Sequence, residues 1–294
     1  MADAPRLGRV LSAMVTPMRA DGSVDLDSAQ RLATHLVDEG HDGIVVSGTT
    51  GESPTTTAAE KEELLRAVIG AVGDRAVIVA GAGSNDTAKS VEAVRMAEKV
   101  GAHAVLAVTP YYNKPPQAGL VAHFLALADA SDLPVMVYDI PGRSGIAIAR
   151  ETYLRIAEHD RIVAVKDARG ELWLASQLME QTGLDWYSGD DAMNLAHFGN
   201  GAVGFVGVTS QTCPAVYRRM ADAVLEGRWD DARAIHRLLH AMVDAVMYVT
   251  QGAIMAKAAL AEQGIIASGT VRLPLVEASD EQREQIRAAL ATVA

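Results

Sequence analysis

Eight short runs of apolar, largely β-branched residues begin at positions 10, 43, 76, 104, 134, 162, 185 and 202, each separated from the next by a helical pattern or a shorter connector. Strands recurring at this spacing pair in parallel, because a crossover helix must carry the chain back to the same end of the sheet. The runs are Val10–Val15, Gly43–Ser47, Ala76–Ala80, Ala104–Val108, Pro134–Asp139, Ile162–Lys166, a weaker Asp185–Ser188, and Ala202–Val206, with the amphipathic stretch Asp25–Glu39 after the first. Periodicity supplies units and not closure, so an open doubly wound sheet is the alternative. The count of eight, on a chain of 294 residues, favours an α/β fold of the (β/α)8 TIM barrel type, which typically takes roughly 250 residues.

After Ser210 no strand pattern returns, and Pro214–Glu226, Trp229–Thr250, Ala253–Gln263 and Asp280–Val293 all read as helices. The last three exceed what a closing barrel helix needs. The expected organisation is therefore a catalytic barrel over 1–227 and a C-terminal helical extension over 228–294, divided at the Gly227 turn.

Composition narrows the function. With 49% apolar residues the chain can bury a large core, and a net charge of −11 gives no basic field for a phosphate backbone, so nucleic acid is excluded as a partner. Cys213 is the one cysteine and cannot form an internal disulfide. The start MADAPRLGRV lacks a basic region followed by an apolar stretch, and no apolar run reaches the roughly 18 residues of a membrane span. A cytoplasmic protein without membrane association is the expectation.

In a barrel of this kind, chemistry belongs where the strands end and the βα loops converge. Here those ends are Thr16-Pro17, Ser47-Gly48-Thr49-Thr50-Gly51-Glu52-Ser53, Thr109-Pro110-Tyr111-Tyr112-Asn113, Tyr138-Asp139-Ile140-Pro141-Gly142-Arg143-Ser144-Gly145, Lys166-Asp167 and Ser188-Gly189-Asp190-Asp191. Lys166 follows the buried run Ile162–Val165, where desolvation disfavours the ammonium. A neutral amine can condense with a ketone to an iminium, which lets the adjacent carbon become a nucleophile. The alternative is a strand-end lysine reaching solvent or pairing with Asp167 or Asp190. Tyr138 stands one strand earlier at the same level and suits proton transfer, with Thr49 and Tyr112 extending a relay; each tyrosine also reads as a packed ring. The Gly48–Glu52 loop offers N–H groups and hydroxyls to a small carboxylate, or is simply a turn, and it lacks the Gly-Lys-Ser/Thr ending of a nucleotide-binding loop. Arg143, in a rigid turn, either aims at a second carboxylate or lies on the surface.

Four other signals carry less. Gly199-Asn200-Gly201-Ala202-Val203-Gly204 leads into a strand rather than opening a helix, so it is no dinucleotide site. His236 and His240 have ligand spacing without the glutamate of a zinc peptidase, and Asp190-Asp191 reads as a helix cap, so no metal is expected. Lys257 lies in the apolar helix around Ile254–Ala258, and its amine is expected to reach water over the covered core.

Taken together, Gly48-Thr49-Thr50-Gly51-Glu52-Ser53, Thr109-Pro110-Tyr111-Tyr112-Asn113, Tyr138-Asp139-Ile140-Pro141-Gly142-Arg143 and Val165-Lys166-Asp167 resemble the signature set of the dihydrodipicolinate synthase family in order and spacing. The resemblance runs from about residue 8 to the helical tail. It implies condensation of pyruvate with L-aspartate 4-semialdehyde to 4-hydroxy-tetrahydrodipicolinate, with no metal or organic cofactor. It also implies Lys166 as the Schiff-base residue, Tyr138 as proton donor and acceptor, and Thr49 as the hydroxyl linking Tyr138 to a Tyr112 inserted by a neighbouring subunit. By the same match, Thr50 holds the pyruvate carboxylate, Arg143 receives the semialdehyde carboxylate, and Gly189 and Val206 supply backbone contacts near the keto acid. A homo-oligomer follows, a homotetramer built as a dimer of dimers. The nearest rivals are other pyruvate aldolases on this scaffold, such as N-acetylneuraminate lyase, against which Arg143 argues, and a catalytically silent keto-acid-binding homologue. Two departures from the family pattern stand out. Asp139 and Ser144 replace the usual asparagine and threonine. At the lysine feedback site, Ser53, Asn85 and Tyr111 match, whereas Ala58, Lys61 and Lys89 replace two histidines and a glutamate, which predicts weak or absent inhibition by lysine.

Overall fold

Strands β1 (Val10–Ala13), β2 (Gly43–Val46), β3 (Val77–Gly81), β4 (Ala104–Val108), β5 (Val135–Asp139), β6 (Ile162–Asp167), β7 (Asp185–Ser188) and β8 (Gly204–Gly207) close in sequence order into a parallel barrel, in a computed structural model describing residues 5–293. Closure comes from β1 pairing with β8, Leu11 beside Val206, so the open doubly wound alternative falls. Residues 1–4 and 294, part of the expected leaderless start and of the 228–294 tail, lie outside the described residues. Most strand positions are buried on both faces, which is why the strands read as near-continuous apolar runs rather than as alternation.

Around the barrel run α1 (Leu26–Asp38), α2 (Ala58–Val72), α3 (Thr87–Val100), α4 (Gln117–Ala128), a single turn α5 (Pro141–Ser144), α6 (Arg150–Ile156), α7 (Leu172–Thr182), α8 (Asn194–Gly199) and α9 (Pro214–Leu225). Helix α1 shows why these segments are helical: Ala29, Leu32, Ala33 and Leu36 form one buried stripe at helical spacing, and the Asp25 side chain caps Ser28 N–H. At α2 a full capping box joins Thr57 and Glu60. Strands β3, β5 and β8 begin later than their apolar runs; at β3 and β8 helix ends claim the first residues, Ala76 N–H bonding Val72 C=O and Ala202 N–H bonding His197 C=O. At β8, Gly204 is required by close approach, since a side chain there would strike the Arg9 backbone.

The tail differs from the sequence expectation in one respect. Instead of one helix over Trp229–Thr250 the chain forms α10 (Trp229–Leu238), a short α11 (His240–Val243) and a π-helical turn over Asp244–Tyr248. Leu239 N–H divides between the carbonyls of Ile235 and His236, the shared bond that marks a helix end. Helices α12 (Gly252–Glu262) and α13 (Asp280–Leu290) follow, and the connection between them returns to the barrel mouth, where Ala267 N–H reaches Ser28 Oγ and Arg272 Nε donates to Gly22 C=O. Among the described residues, no helix is long and apolar enough to cross a membrane.

Candidate active site

Register brings the chemistry together. Tyr138 on β5 lies beside Lys166 on β6, and the next pair outward is Asp139 beside Asp167. Lys166 is buried, with Nζ 4.3 Å from the centre of the Tyr138 ring. Burial lowers its pKa to about 8; the Asp191 carboxylate opposes that shift and the Arg143 guanidinium reinforces it. Roughly a tenth of the amine is then neutral at pH 7, against well under a thousandth for an ordinary lysine, and that neutral form is a nucleophile. Burial also pushes the Tyr138 phenol well above its usual range, with Arg143 pulling the other way.

Asp167 is committed away from Lys166. Its Oδ1 accepts from Arg169 N and Nε at 2.9 and 3.1 Å, and its Oδ2 accepts from Arg169 Nη2 and Trp186 Nε1 at 3.0 Å each. Asp190 caps Ala192 N–H, as a helix-capping reading requires, but its neighbour Asp191 is buried and accepts from Val208 N–H at 2.8 Å. Arg169 was not singled out by sequence reasoning. Its side chain is buried, pairs with Asp139 at 3.5 Å as well as with Asp167, and stacks over Tyr153 and Trp186. The two residues that directly follow Tyr138 and Lys166 are thus cross-linked by one guanidinium. Asp139 also accepts from Ile148 N–H and Tyr153 Oη, yet burial outweighs these partners and lifts its pKa to about 6. The available signal was Asp167-Ala168-Arg169, two opposite charges two residues apart at a strand end.

Two connected chambers open beside this pair. The inner one, about 50 Å3, is lined by Lys166, Tyr138, Thr49, Thr50, Arg143 and Gly189, together with Met247 of the π turn and Gln251, Gly252 and Ala253 at the start of α12. The outer one, about 410 Å3, shares Thr49, Tyr138 and Arg143 and adds Ser53, Tyr111 and Tyr112. Gly189 packs on Lys166 so closely that a Cβ would sit 3.0 Å from Cγ; its N–H is spent on Asp167 C=O at 2.7 Å, leaving its carbonyl for a ligand. Val206 lies fully buried inside β8 and does not line the inner chamber, whereas Val208 does. Tyr112 is 89% exposed and holds a left-handed backbone, φ +74°, which for a non-glycine residue costs energy and points to a constraint. Asn85 receives the Asn113 side chain on its carbonyl, next to that loop.

Lys257 corrects the sequence expectation. Its amine does not reach water: the residue is fully buried and pairs with Glu52, while Nζ also donates to Thr270 C=O at 2.8 Å. The chain between α12 and α13 folds back over α12 and encloses it. Glu52, in turn, is an anchor of the loop rather than a wall of the chambers.

The chain and its fold have known counterparts. The model of the dihydrodipicolinate synthetase family matches residues 6–293. The chain belongs to that family. Among its relatives, the 4-hydroxy-tetrahydrodipicolinate synthase 2 of Streptomyces coelicolor is 56% identical over 284 residues, 97% of this chain and 94% of the relative. The dihydrodipicolinate synthase of Bacillus anthracis superposes with a TM-score of 0.95 at 38% identity, covering 99% of both chains. A family structure from Cyanidioschyzon merolae, solved with lysine bound, gives a TM-score of 0.95 at 40% identity over 98% of this chain and 99% of that one. These family members share the barrel and the helical C-terminal segment described above.

Proposed function

We propose that this chain catalyses the condensation of pyruvate with L-aspartate 4-semialdehyde to 4-hydroxy-tetrahydrodipicolinate, on the route to diaminopimelate and lysine, with Lys166 forming the Schiff base. The observation that carries this reading is the Lys166 amine, buried, brought down to about pKa 8, and held over Tyr138 in a chamber walled by Thr49 and Thr50. Neutral Nζ attacks C2 of pyruvate, and loss of water leaves an iminium. The iminium accepts the electron pair released when C3 loses a proton, and the resulting enamine attacks the aldehyde carbon of the second substrate. Tyr138 shuttles the protons, and Thr49 and Tyr112 link it to solvent. The substrate amine then displaces Lys166 from C2 and closes the ring.

Thr50 holds the pyruvate carboxylate, with the Gly189 carbonyl contributing nearby; Val206, outside the chamber lining, is not kept as a contact. Arg143 stands where both chambers meet and takes the carboxylate of the semialdehyde. Exposure and backbone strain at Tyr112 support its insertion into a neighbouring subunit; the assembly we propose is a homotetramer, a dimer of dimers, acting in the cytoplasm. We keep 1–227 as the barrel and 228–294 as the extension, which acts as part of the enzyme because Met247 and α12 line the inner chamber.

Arg143→Met tests the acceptor assignment. Loss of a charge-assisted pair worth about 1.5–3 kcal/mol should raise KM for the semialdehyde roughly ten- to a hundredfold. Pyruvate KM should move much less. Equal effects on the two substrates, or none, would remove Arg143 as the acceptor clamp.

A further inference from the structure

The loop that carries Thr49 and Thr50 is held from the far end of the chain. Glu52 closes that loop in a left-handed conformation, φ +53°, and its N–H bonds Thr49 C=O at 3.1 Å. Its carboxylate is buried: Oε1 faces Lys257 Nζ, and Oε2 accepts from Arg272 N–H at 2.9 Å. Arg272 in turn grips Thr55 C=O at 2.7 Å, Gly22 C=O at 2.9 Å and the Glu60 carboxylate. Lys257 sits on α12, whose first turn forms a wall of the inner chamber, so one helix both lines the Lys166 pocket and grips the loop opposite.

A buried ion pair of this kind is a poor device for stability, since apolar residues of similar volume do as well without the desolvation cost. What it adds is direction. Glu52 stays in its left-handed conformation because both carboxylate oxygens are held, and the carbonyl of Thr49 follows Glu52 N–H. We propose that Lys257 is a positioning residue which, through Glu52, sets the orientation of the Thr49-Thr50 turn toward the Schiff-base amine. The assignment rests on the reading of Lys166 and of the Thr49-Thr50 cradle given above. Lys257 itself makes no contact with substrate, because its amine is occupied by Glu52 and Thr270.

The test compares the full-length wild type with Lys257→Met, Glu52→Gln and the double variant. Lys257→Met strands a buried carboxylate and lowers thermal stability. The added Glu52→Gln removes that charge and should restore most of the Tm without restoring alignment of the cradle. Pyruvate KM in the double variant should therefore stay raised at least tenfold, with kcat lowered as well because the same turn carries Thr49, and with borohydride still trapping pyruvate on Lys166 at saturation. A pair serving only to fasten the tail predicts wild-type pyruvate KM once stability is recovered, and that result overturns the proposal. If the double variant does not fold, Glu52→Gln alone, which keeps the side-chain volume, decides: a severalfold rise in pyruvate KM supports the proposal and an unchanged KM refutes it. Failure of borohydride to label Lys166 in the wild type would instead defeat the Schiff-base reading, whatever the variants do.

Discussion

Asp139 shows how one residue beside a proposed catalytic tyrosine contributes to the pH dependence of stability. Its carboxyl is fully buried and titrates at about 6, raised by burial against the pull of Arg169, whereas an unfolded aspartate titrates at about 3.9. Between those values the folded protein holds a proton that the unfolded chain has released. Stability from this group is therefore full below about pH 4 and is lost as pH rises through about 6, by up to ~3 kcal/mol. Asp139→Asn, which keeps the side-chain shape, removes that titration. Buried His41 and His123, whose pKa values burial lowers, tilt the same range the other way, so the test is the difference: the urea midpoint of the variant should rise relative to that of wild type from pH 4 to 7, and parallel profiles would contradict the account. Lys166 stood out in the sequence because an amine at the end of an apolar strand is rare, and Tyr138 because parallel register puts neighbouring strand ends level. Arg169 and the burial of Lys257 did not. The cross-link from Arg169 to Asp139 and the pairing of Lys257 with Glu52, 205 residues earlier in the chain, depend on partners that only the folded chain brings close.

At the scale of elements, α2 and α3 carry the departures that bear on regulation. Lys61 on α2 is half-buried, and burial lowers its pKa; Lys89, in the first turn of α3, is exposed with Nζ 4.0 Å from Asp86. An ammonium where a carboxylate would draw the ligand's amine repels it instead. L-Lysine should inhibit weakly even at millimolar concentration, and Lys89→Glu should lower the half-inhibiting concentration severalfold. Strong inhibition of the unaltered chain at micromolar lysine would refute this in a steady-state assay. Element existence was legible throughout: even the weak seventh strand, Asp185–Ser188, appears with the expected bounds. Ends were less legible. Helix-terminal carbonyls at Val72 and His197 capture residues whose side chains are as apolar as those of a strand. The break of Trp229–Thr250 into two helices and a π turn was invisible because all three share helical spacing.

For the whole molecule, the proposed relay is completed by a second copy. Two variants, each defective alone, test it: Lys166→Ala lacks the amine and Tyr112→Phe lacks the inserted hydroxyl. In a mixed dimer, the site that keeps Lys166 receives Tyr112 from the other subunit. With random exchange at equal ratio, half the dimers are mixed and one of their two sites works, so activity should recover to about a quarter of wild type. Mixtures no more active than the two variants assayed separately would place Tyr112 on its own subunit or outside the relay.

Borohydride trapping reaches the central claim most directly. Incubated with pyruvate and reduced, the protein should gain one pyruvate-derived adduct per chain, and peptide mapping should locate it on Lys166 alone. Lys257, also buried but paired with Glu52, is the internal control and should remain unlabelled. An adduct on Lys257 or another amine, or no adduct at saturating pyruvate, would contradict the assignment of Lys166.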